Sequence, residues 1–331
     1  MLNLGIIGAG LIWKLTHKPI VIDEPRVRLA AFAAASQTTL EALQLEFPDA
    51  AHYSDYRALL QNPALDAVAV LTPITMNETV IVEALQHGKH VFAEKPMALS
   101  AKAAQRILDE EQRSGKLVLV LEQARYRKEL HNVKQLMDDG AIGKVVNYSI
   151  IEHSKLDGEA HSHGGFGTTA WRAEARFPLG CLFDGGIHTV SDLTFLFGSP
   201  RLVFAAGSKL REGFGEYDHI SMLLSHSSGI QGSFSHAGFL DGSHNGIFIQ
   251  GTEGSVSLAN GVISLAGKRT EQLRPNPDNA HRRMWDHCLN RLADKAVPIY
   301  TSRDSFRDIA LLDAVSRSLQ TALPVSPASQ P

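Results

Sequence analysis

Short apolar runs alternate with polar-faced stretches over the first third of the chain. Leu2–Ile7, Val27–Ala34, Ala67–Leu71, Lys89–Ala93 and Leu117–Leu121 are apolar on both faces, as strands in the middle of a parallel sheet are. The stretches between them carry helix punctuation. Thr38 with Glu41, and Thr75 with Glu78, have capping-box spacing. Ser100 suits the N-cap of a helix over Ala101–Ser114. Gly88 and Gly115 stand where helices end in the left-handed conformation. Strand, helix, strand in this rhythm predicts an α/β fold, a doubly wound parallel sheet.

After about residue 122 the texture changes. Val133–Met137 reads as helix and Gly140–Gly143 as a turn. Strands then dominate: Val145–Glu152, Leu202–Ser208, His219–Leu224, Ile230–His236, Gly246–Gly251 and Ser255–Leu258. Turns such as Ser227-Ser228-Gly229 and Thr252-Glu253-Gly254 separate them, which predicts a mostly antiparallel sheet. A His- and Gly-rich loop, Lys155–Thr169, and a helical stretch around Leu182–Phe197 interrupt the strands. Two amphipathic helices close the chain. One buries Met284, Trp285, Cys288, Leu289 and Leu292, the other Ile309, Leu312, Val315 and Leu319. The reading is two domains, 1–122 and 123–331, with a frayed tail over Pro324–Pro331.

Composition narrows the function classes. Lys plus Arg (32) nearly balances Asp plus Glu (35) in a chain of 331 residues, and no long basic run exists. Nucleic acid and an acidic membrane surface are therefore poor partners. No apolar run approaches a membrane span, and Met1–Ile12 reads as a buried strand and turn, not a signal peptide. Cys181 and Cys288 give neither a disulfide framework nor metal spacing, so a reducing, cytoplasmic setting is expected. The histidines 153, 161, 163 and 188 have no metal-ligand spacing either, and no metal is expected.

Three spots carry candidate chemistry. Gly8-Ala9-Gly10 follows the first strand, with Leu11 and Ile12 opening a helix. A pyrophosphate can approach such a turn and meet helix N–H groups. The third glycine of that fingerprint is replaced by Trp13, so the helix must sit differently; Trp13 is read as a core residue filling the gap, or else as facing the nicotinamide or substrate pocket. Pro19 should end or kink the helix. The second strand ends in Ala34-Ala35-Ser36-Gln37-Thr38, with no acid before Glu41 and no Arg for a 2′-phosphate. Ser36 and Gln37 can touch either ribose; the cofactor is NAD or NADP, and the missing acid tips towards NADP.

Lys95, between Glu94 and Pro96, lies at the carboxyl end of an apolar strand, where an open α/β sheet places its ligand chemistry. The plain alternative is a surface lysine in a loop. The third spot is Asp184-Gly185-Gly186-Ile187-His188 with Asp192. On one helix these acids and the histidine share a face. Two glycines inside a helix cost roughly 1 kcal/mol each, which suggests close approach of the cofactor or the other domain. A histidine of pKa about 6.5 can exchange a proton near neutrality; the plain alternative is a helix-capping Asp and a satisfied core His.

Together these motifs resemble the Gfo/Idh/MocA family of glucose–fructose oxidoreductases and inositol dehydrogenases. The likeness rests on Gly8-Ala9-Gly10, Thr72-Pro73, Glu94-Lys95-Pro96, Trp171-Arg172, Asp184 to His188 with Asp192, and Gly251-Thr252-Glu253-Gly254. It implies an N-terminal Rossmann domain over 1–122 and a substrate-binding and oligomerisation domain over 123–331. It implies a nicotinamide cofactor held by Gly8, Gly10, Leu11, Ile12, Ser36, Thr72, Pro73, Glu94, Lys95, Trp171 and Arg172. Lys95, Asp184 and His188 match the family's catalytic trio, and a cis Lys95–Pro96 bond is implied. Asn77 stands where many members carry His, which puts substrate contacts in question.

The implied reaction is hydride transfer between nicotinamide and a hydroxyl or keto carbon of a sugar, inositol or related polyol. His188 moves the hydroxyl proton, Lys95 stabilises the developing oxyanion, Asp184 orients substrate or His188, and Glu94 positions Lys95 or the nicotinamide ribose. Glu122, Tyr126, His153 and the His161-Ser162-His163 loop are further substrate candidates, with packing the plainer role for Tyr126 and solvated surface for the loop histidines. A homodimer or homotetramer through the C-terminal sheet is implied. The rival readings are a sugar lyase or glycosidase using NAD for transient oxidation, and a non-catalytic dinucleotide or sugar sensor.

Overall fold

The computed structural model describes residues 1–154, 179–211, 215–240, 242–267, 269–275, 279–296 and 299–328. Two compact units divide them: Met1–Gln123 with Asn279–Phe306, and Ala124–Asp278 with Arg307–Pro331. The stretch Asn279–Phe306 thus belongs with the first unit, where a single boundary after residue 122 leaves it in the second.

The first unit is built on six parallel strands: β1 (Leu2–Ile7), β2 (Val27–Ala33), β3 (Ala51–Tyr53), β4 (Ala67–Val70), β5 (His90–Glu94) and β6 (Val118–Leu121), in the order β3-β2-β1-β4-β5-β6. The four residues of β4 are all buried, as a strand covered on both faces requires. Strand order reverses between β1 and β4, and ligands bind at the carboxyl ends beside such a switch point. Gly8 and Thr72 follow those two strands.

Helix punctuation differs from the sequence reading in two places. Ser36, not Thr38, caps α2 (Gln37–Glu46), accepting from the Thr39 N–H. The next long helix, α4 (Ile74–Gln86), follows α3 (Tyr56–Leu60) and begins after Pro73 without a side-chain cap; its Glu78 pairs instead with Arg106. Ser100 does cap α5 (Ala101–Ser114), and Gly115 ends it at φ +67°.

The second unit carries eight strands: β7 (Val145–His153), β8 (Leu202–Ser208), β9 (His219–Ser225), β10 (Gln231–Ala237), β11 (Gly246–Gly251), β12 (Ser255–Ala259), β13 (Val262–Ala266) and β14 (Glu271–Leu273). Their order is β14-β13-β12-β11-β7-β10-β9-β8. Every pairing is antiparallel except β7 with β10. Alternate residues are buried, among them Tyr148, Ile150, Ile220, Met222, Leu224 and Phe234. The intervening residues form an open face rich in serine.

Helices of this unit include α6 (Lys128–Asp138), α7 (Cys181–Asp184) and α8 (Ile187–Phe197). Two more follow, α9 (Ala280–Leu292) in the first unit and α10 (Ser302–Thr321). The tail is not frayed throughout. Val325 exchanges two backbone hydrogen bonds with Val203, of 2.8 and 2.9 Å, and so extends the β8 edge. Among the described residues, no helix is long and apolar enough to cross a membrane.

Candidate dinucleotide and proton-transfer site

Gly8 turns the chain at φ +92°, and a Cβ there would lie 2.6 Å from the Leu71 carbonyl oxygen. Only glycine fits that approach. Gly10 is the reverse case: a Cβ would meet nothing within 4 Å, so the turn opens outward. A helix over 11–21 starts immediately after it. Its first N–H groups have no acceptor within the helix, and Leu11 and Ile12, both half-buried, supply two of them. Backbone donors above an open glycine are a fitting cradle for a pyrophosphate.

The helix is wound as a π-helix over Trp13–His17. The wider turn begins at the residue that replaces the third glycine. Trp13 is 1% exposed and meets Phe32 of β2 edge-on, with ring centroids 5.9 Å apart. Trp13 is thus a core residue, as the plainer reading has it. Nor does the helix stop at Pro19: α-helical winding resumes at Lys18 and runs to Val21, with Pro19 in the first turn of that segment. Proline is tolerated in a first turn, where its missing N–H breaks no α-helical bond.

At the end of β2, Ser36 and Gln37 are exposed, and Gln37 bonds Glu41 at 2.9 Å. No carboxylate precedes Glu41 there, so nothing in this turn repels a 2′-phosphate.

The turn holding Lys95 is fixed from two sides. Asn77 is fully buried. Its Oδ1 accepts from the Thr72 hydroxyl at 2.8 Å, and its Nδ2 donates to the carbonyls of Glu94 (3.2 Å) and Pro96 (3.0 Å). Asn77 therefore straps the Thr72-Pro73 turn to the Glu94-Lys95-Pro96 turn and presents no surface to a substrate. On the other side, Glu94 Oε2 accepts the Lys95 backbone N–H at 3.1 Å. Glu94 Oε1 lies 2.7 Å from His17 Nε2. The Lys95–Pro96 bond is cis. Lys95 is half-buried, as are Thr72 and Glu94, while Pro73 is exposed. Glu122, in the same unit, is completely buried.

In the second unit, Asp184 and His188 do not share one unbroken helix. α7 ends at Asp184, Gly185-Gly186 form a turn, and α8 begins at Ile187. The Gly186 N–H reaches back five residues to the Cys181 carbonyl. A Cβ on Gly186 would meet Leu182 Cδ1 at 2.7 Å and His236 Cε1 at 3.0 Å. At Gly186, then, Leu182 and His236 of the same unit come close to the backbone. Asp184 is 8% exposed and His188 half-buried.

Asp192 is buried and ion-paired with Arg127. Arg125 donates to the Ser191 carbonyl at 2.7 Å and lies over the Phe195 ring.

Glu152 was not singled out by sequence, yet it is paired with a buried histidine. Its Oε2 lies 3.2 Å from His236 Nδ1. Burial pushes the Glu152 carboxyl up, but hydrogen bonds and charge from His236, with Thr189 and His188 adding to them, pull it below its ordinary value. A recess of about 260 Å³ beside it is lined by Arg127, Glu129, Glu152, Thr189, Asp192 and Asn245, among others. His153, one residue on, points to the opposite face of β7. It meets Ser235 Oγ at 3.2 Å, which His219 also approaches at 3.3 Å. Burial, with the neighbouring His219 and His236, lowers the His153 pKa. Tyr126 is 1% exposed, in keeping with packing. Trp171, Arg172, His161 and His163 lie outside the described residues.

Comparison with known proteins decides the family. Residues 2–122 match a family model described as an oxidoreductase family with an NAD-binding Rossmann fold, and residues 130–257 match the GFO/IDH/MocA C-terminal domain. The chain belongs to the Gfo/Idh/MocA oxidoreductase family. Among its relatives is the scyllo-inositol 2-dehydrogenase (NADP(+)) of Bacillus subtilis, 25% identical over 67% of this chain. The chain spans 59% of that relative's length. A second B. subtilis protein, scyllo-inositol 2-dehydrogenase (NAD(+)), is 21% identical over 97% of this chain and 94% of its own. An oxidoreductase from Thermotoga maritima shares the fold at a TM-score of 0.89, with 23% identity and 98% of each chain covered.

Within the Gfo/Idh/MocA framework, two departures in this chain acquire a physical place. Trp13 is absorbed by π winding, and Asn77 is absorbed by a buried strap.

Proposed function

We propose that the protein is an NAD(P)-dependent oxidoreductase acting on a CH–OH group of a sugar, inositol or related polyol. The observation that carries this reading is the pair of glycines at the switch point beside a lysine turn held from both sides. Two inositol dehydrogenases among the relatives, one NADP- and one NAD-dependent, support both the substrate class and the open choice of cofactor. Gly8, Gly10, Leu11 and Ile12 hold the pyrophosphate, Ser36 the adenosine ribose, and Thr72, Pro73 and Glu94 line the approach to the nicotinamide. Trp171 and Arg172 are further cofactor contacts on the family likeness alone.

When bound, the nicotinamide supplies the acceptor or donor of hydride. Lys95 donates a hydrogen bond to the reacting oxygen and stabilises its negative charge. His188 takes the hydroxyl proton, or returns it in the reductive direction. Asp184 orients a neighbouring hydroxyl or His188. Each of these groups does work that a binding module does not need.

The test is spectrophotometric, following reduced cofactor with NAD and NADP across aldoses, inositols and polyols. Lys95→Ala and His188→Ala should each lower turnover by roughly a hundredfold or more and leave dinucleotide affinity nearly unchanged. Near-normal turnover in both variants refutes the reading.

The open face of the eight-stranded sheet supports a homodimer or homotetramer. Leu223 is 61% exposed there, with Phe204 and Phe248 also showing apolar surface. Leu223→Glu should reduce the mass seen by light scattering.

A further inference from the structure

His17 is completely buried at the end of the π-wound segment. Within the first unit it stands at the centre of a chain of hydrogen bonds. Trp285 Nε1 donates to His17 Nδ1 at 3.0 Å. His17 Nε2 lies 2.7 Å from Glu94 Oε1. Glu94 Oε2 accepts from the Lys95 N–H at 3.1 Å. Donor chemistry fixes the direction of the chain. An indole N–H can only donate, so Nδ1 must accept. The ring proton then sits on Nε2 and points at Glu94. Both Glu94 oxygens therefore accept, one from an imidazole and one from a backbone amide.

Trp285 is itself held rigidly. It is 1% exposed and stacks on Phe92 of β5 with centroids 4.7 Å apart, two residues before Glu94. It meets the His17 ring edge-on at 5.7 Å. The π winding has a purpose in this arrangement. Trp13 and His17 both point into the core, one filling the place of the glycine and the other reaching Glu94.

We propose that His17 and Trp285 are positioning residues for Lys95, acting through Glu94. The inference rests on Lys95 being the oxyanion donor. Without His17 the Glu94 side chain has three staggered wells at χ1 and at χ2 and a broad χ3 open to it. With His17 in place it is pinned so that one oxygen holds the Lys95 backbone, and the lysine side chain leaves the strand end in one direction. His281, also on α9, faces His17 with ring centroids 6.5 Å apart.

The test uses the full chain and three variants. His17→Phe keeps a buried ring but removes both bonds. His17→Gln restores a donor that reaches Glu94. Trp285→Phe keeps an aromatic ring and removes the donor that fixes the tautomer. The primary readout is hydrogen exchange of the Lys95 backbone amide by NMR. It should speed about tenfold in His17→Phe, a loss of the order of one hydrogen bond. It should speed less in Trp285→Phe and return towards the parent rate in His17→Gln.

Turnover on the polyol substrate should follow the same order. An unchanged Lys95 amide in both His17→Phe and Trp285→Phe overturns the proposal. So does faster exchange spread evenly over β5, because that is loss of fold and not of position. If Lys95→Ala retains turnover while the amide responds as stated, the oxyanion role falls and the hydrogen-bonded chain stands.

Discussion

Asn77 Nδ2 donates to the Pro96 carbonyl at 3.0 Å, from a side chain with no exposed surface. The same amide bonds the Glu94 carbonyl, so one side chain holds both flanks of Lys95. Asn77→Leu should therefore leave two carbonyls and the Thr72 hydroxyl short of a partner, at about 1–3 kcal/mol for each group that water cannot reach. Melting should fall by several degrees, and turnover should fall by at least about tenfold. Asn77→Asp should be worse, since a carboxylate would face two carbonyl oxygens. Thermal melts and steady-state kinetics on both variants check this.

Cofactor choice is open to one substitution at the end of β2. Ser36 is exposed and caps α2 through its hydroxyl. Ser36→Asp keeps the cap, because aspartate serves that position as well as serine. It also adds the negative charge that this turn lacks. NADPH affinity should fall about tenfold through repulsion of the 2′-phosphate, roughly 1.4 kcal/mol, while NADH affinity holds or rises. Titration of protein fluorescence with each reduced cofactor reads both numbers; equal weakening of the two would place the adenosine ribose elsewhere.

Much of this architecture is written locally, and the parts that are not have identifiable reasons. The central strands of the first sheet are legible because both faces are buried, so Ala67–Val70 is apolar throughout. β3 is only Ala51-His52-Tyr53 at the sheet edge, too short and mixed to show a period. β13 did have a signal: Asn260-Gly261, with φ of +51° and +71°, is a two-residue hairpin turn after Ser255–Ala259. Lys95, Asp184 and His188 stand out through motif. Their supports do not, because His17 meets Glu94 across 77 residues and Trp285 across 268, and Glu152 meets His236 across 84. Such pairings belong to the packed sheet and carry no local pattern. The same limit explains Asn77, whose acceptors lie 17 and 19 residues away on another element.

Glu111 makes stability depend on pH in a direction unusual for a carboxylate. Burial raises its pKa above the ordinary 4.5, although the Ser302 hydroxyl and the Val118 N–H pull the other way. A raised acid binds its proton more tightly when folded. Its contribution is therefore complete below the unfolded value and is lost as pH rises through the folded one. Glu111→Gln removes that loss. The melting temperature of the variant relative to the parent should climb as pH goes from about 4.5 towards 7. A difference that is flat across the range would mean that Glu111 titrates normally.

Glu152 should show the opposite slope. Despite burial, His236 and Thr189 hold its carboxyl below the ordinary value, so its contribution is complete above about 4.5 and fades as pH falls through the lowered one. Glu152→Gln should cost stability near neutrality and progressively less in acid. Melting curves at a series of pH values, set beside those of Glu111→Gln, separate the two carboxylates by the sign of their slopes.

Gly232 is required by the side chain opposite it. A Cβ there would lie 2.1 Å from Tyr148 Cζ, far inside contact. Tyr148 cannot yield: it stacks on Phe197 at 3.8 Å and its hydroxyl bonds His226 Nε2 at 2.9 Å, all within the buried face of the second sheet. Gly232→Ala should thus destabilise by about 2 kcal/mol or more, the order seen when a packed core is overfilled. Tyr148→Ala should cost about 3–5 kcal/mol by itself, as large-to-small changes at buried aromatics do. In that background the alanine at 232 has room, and its added cost should vanish. Denaturant melts of the two single variants and the double variant measure the coupling. Additive losses would mean that the strand, not the tyrosine ring, excludes a side chain at 232.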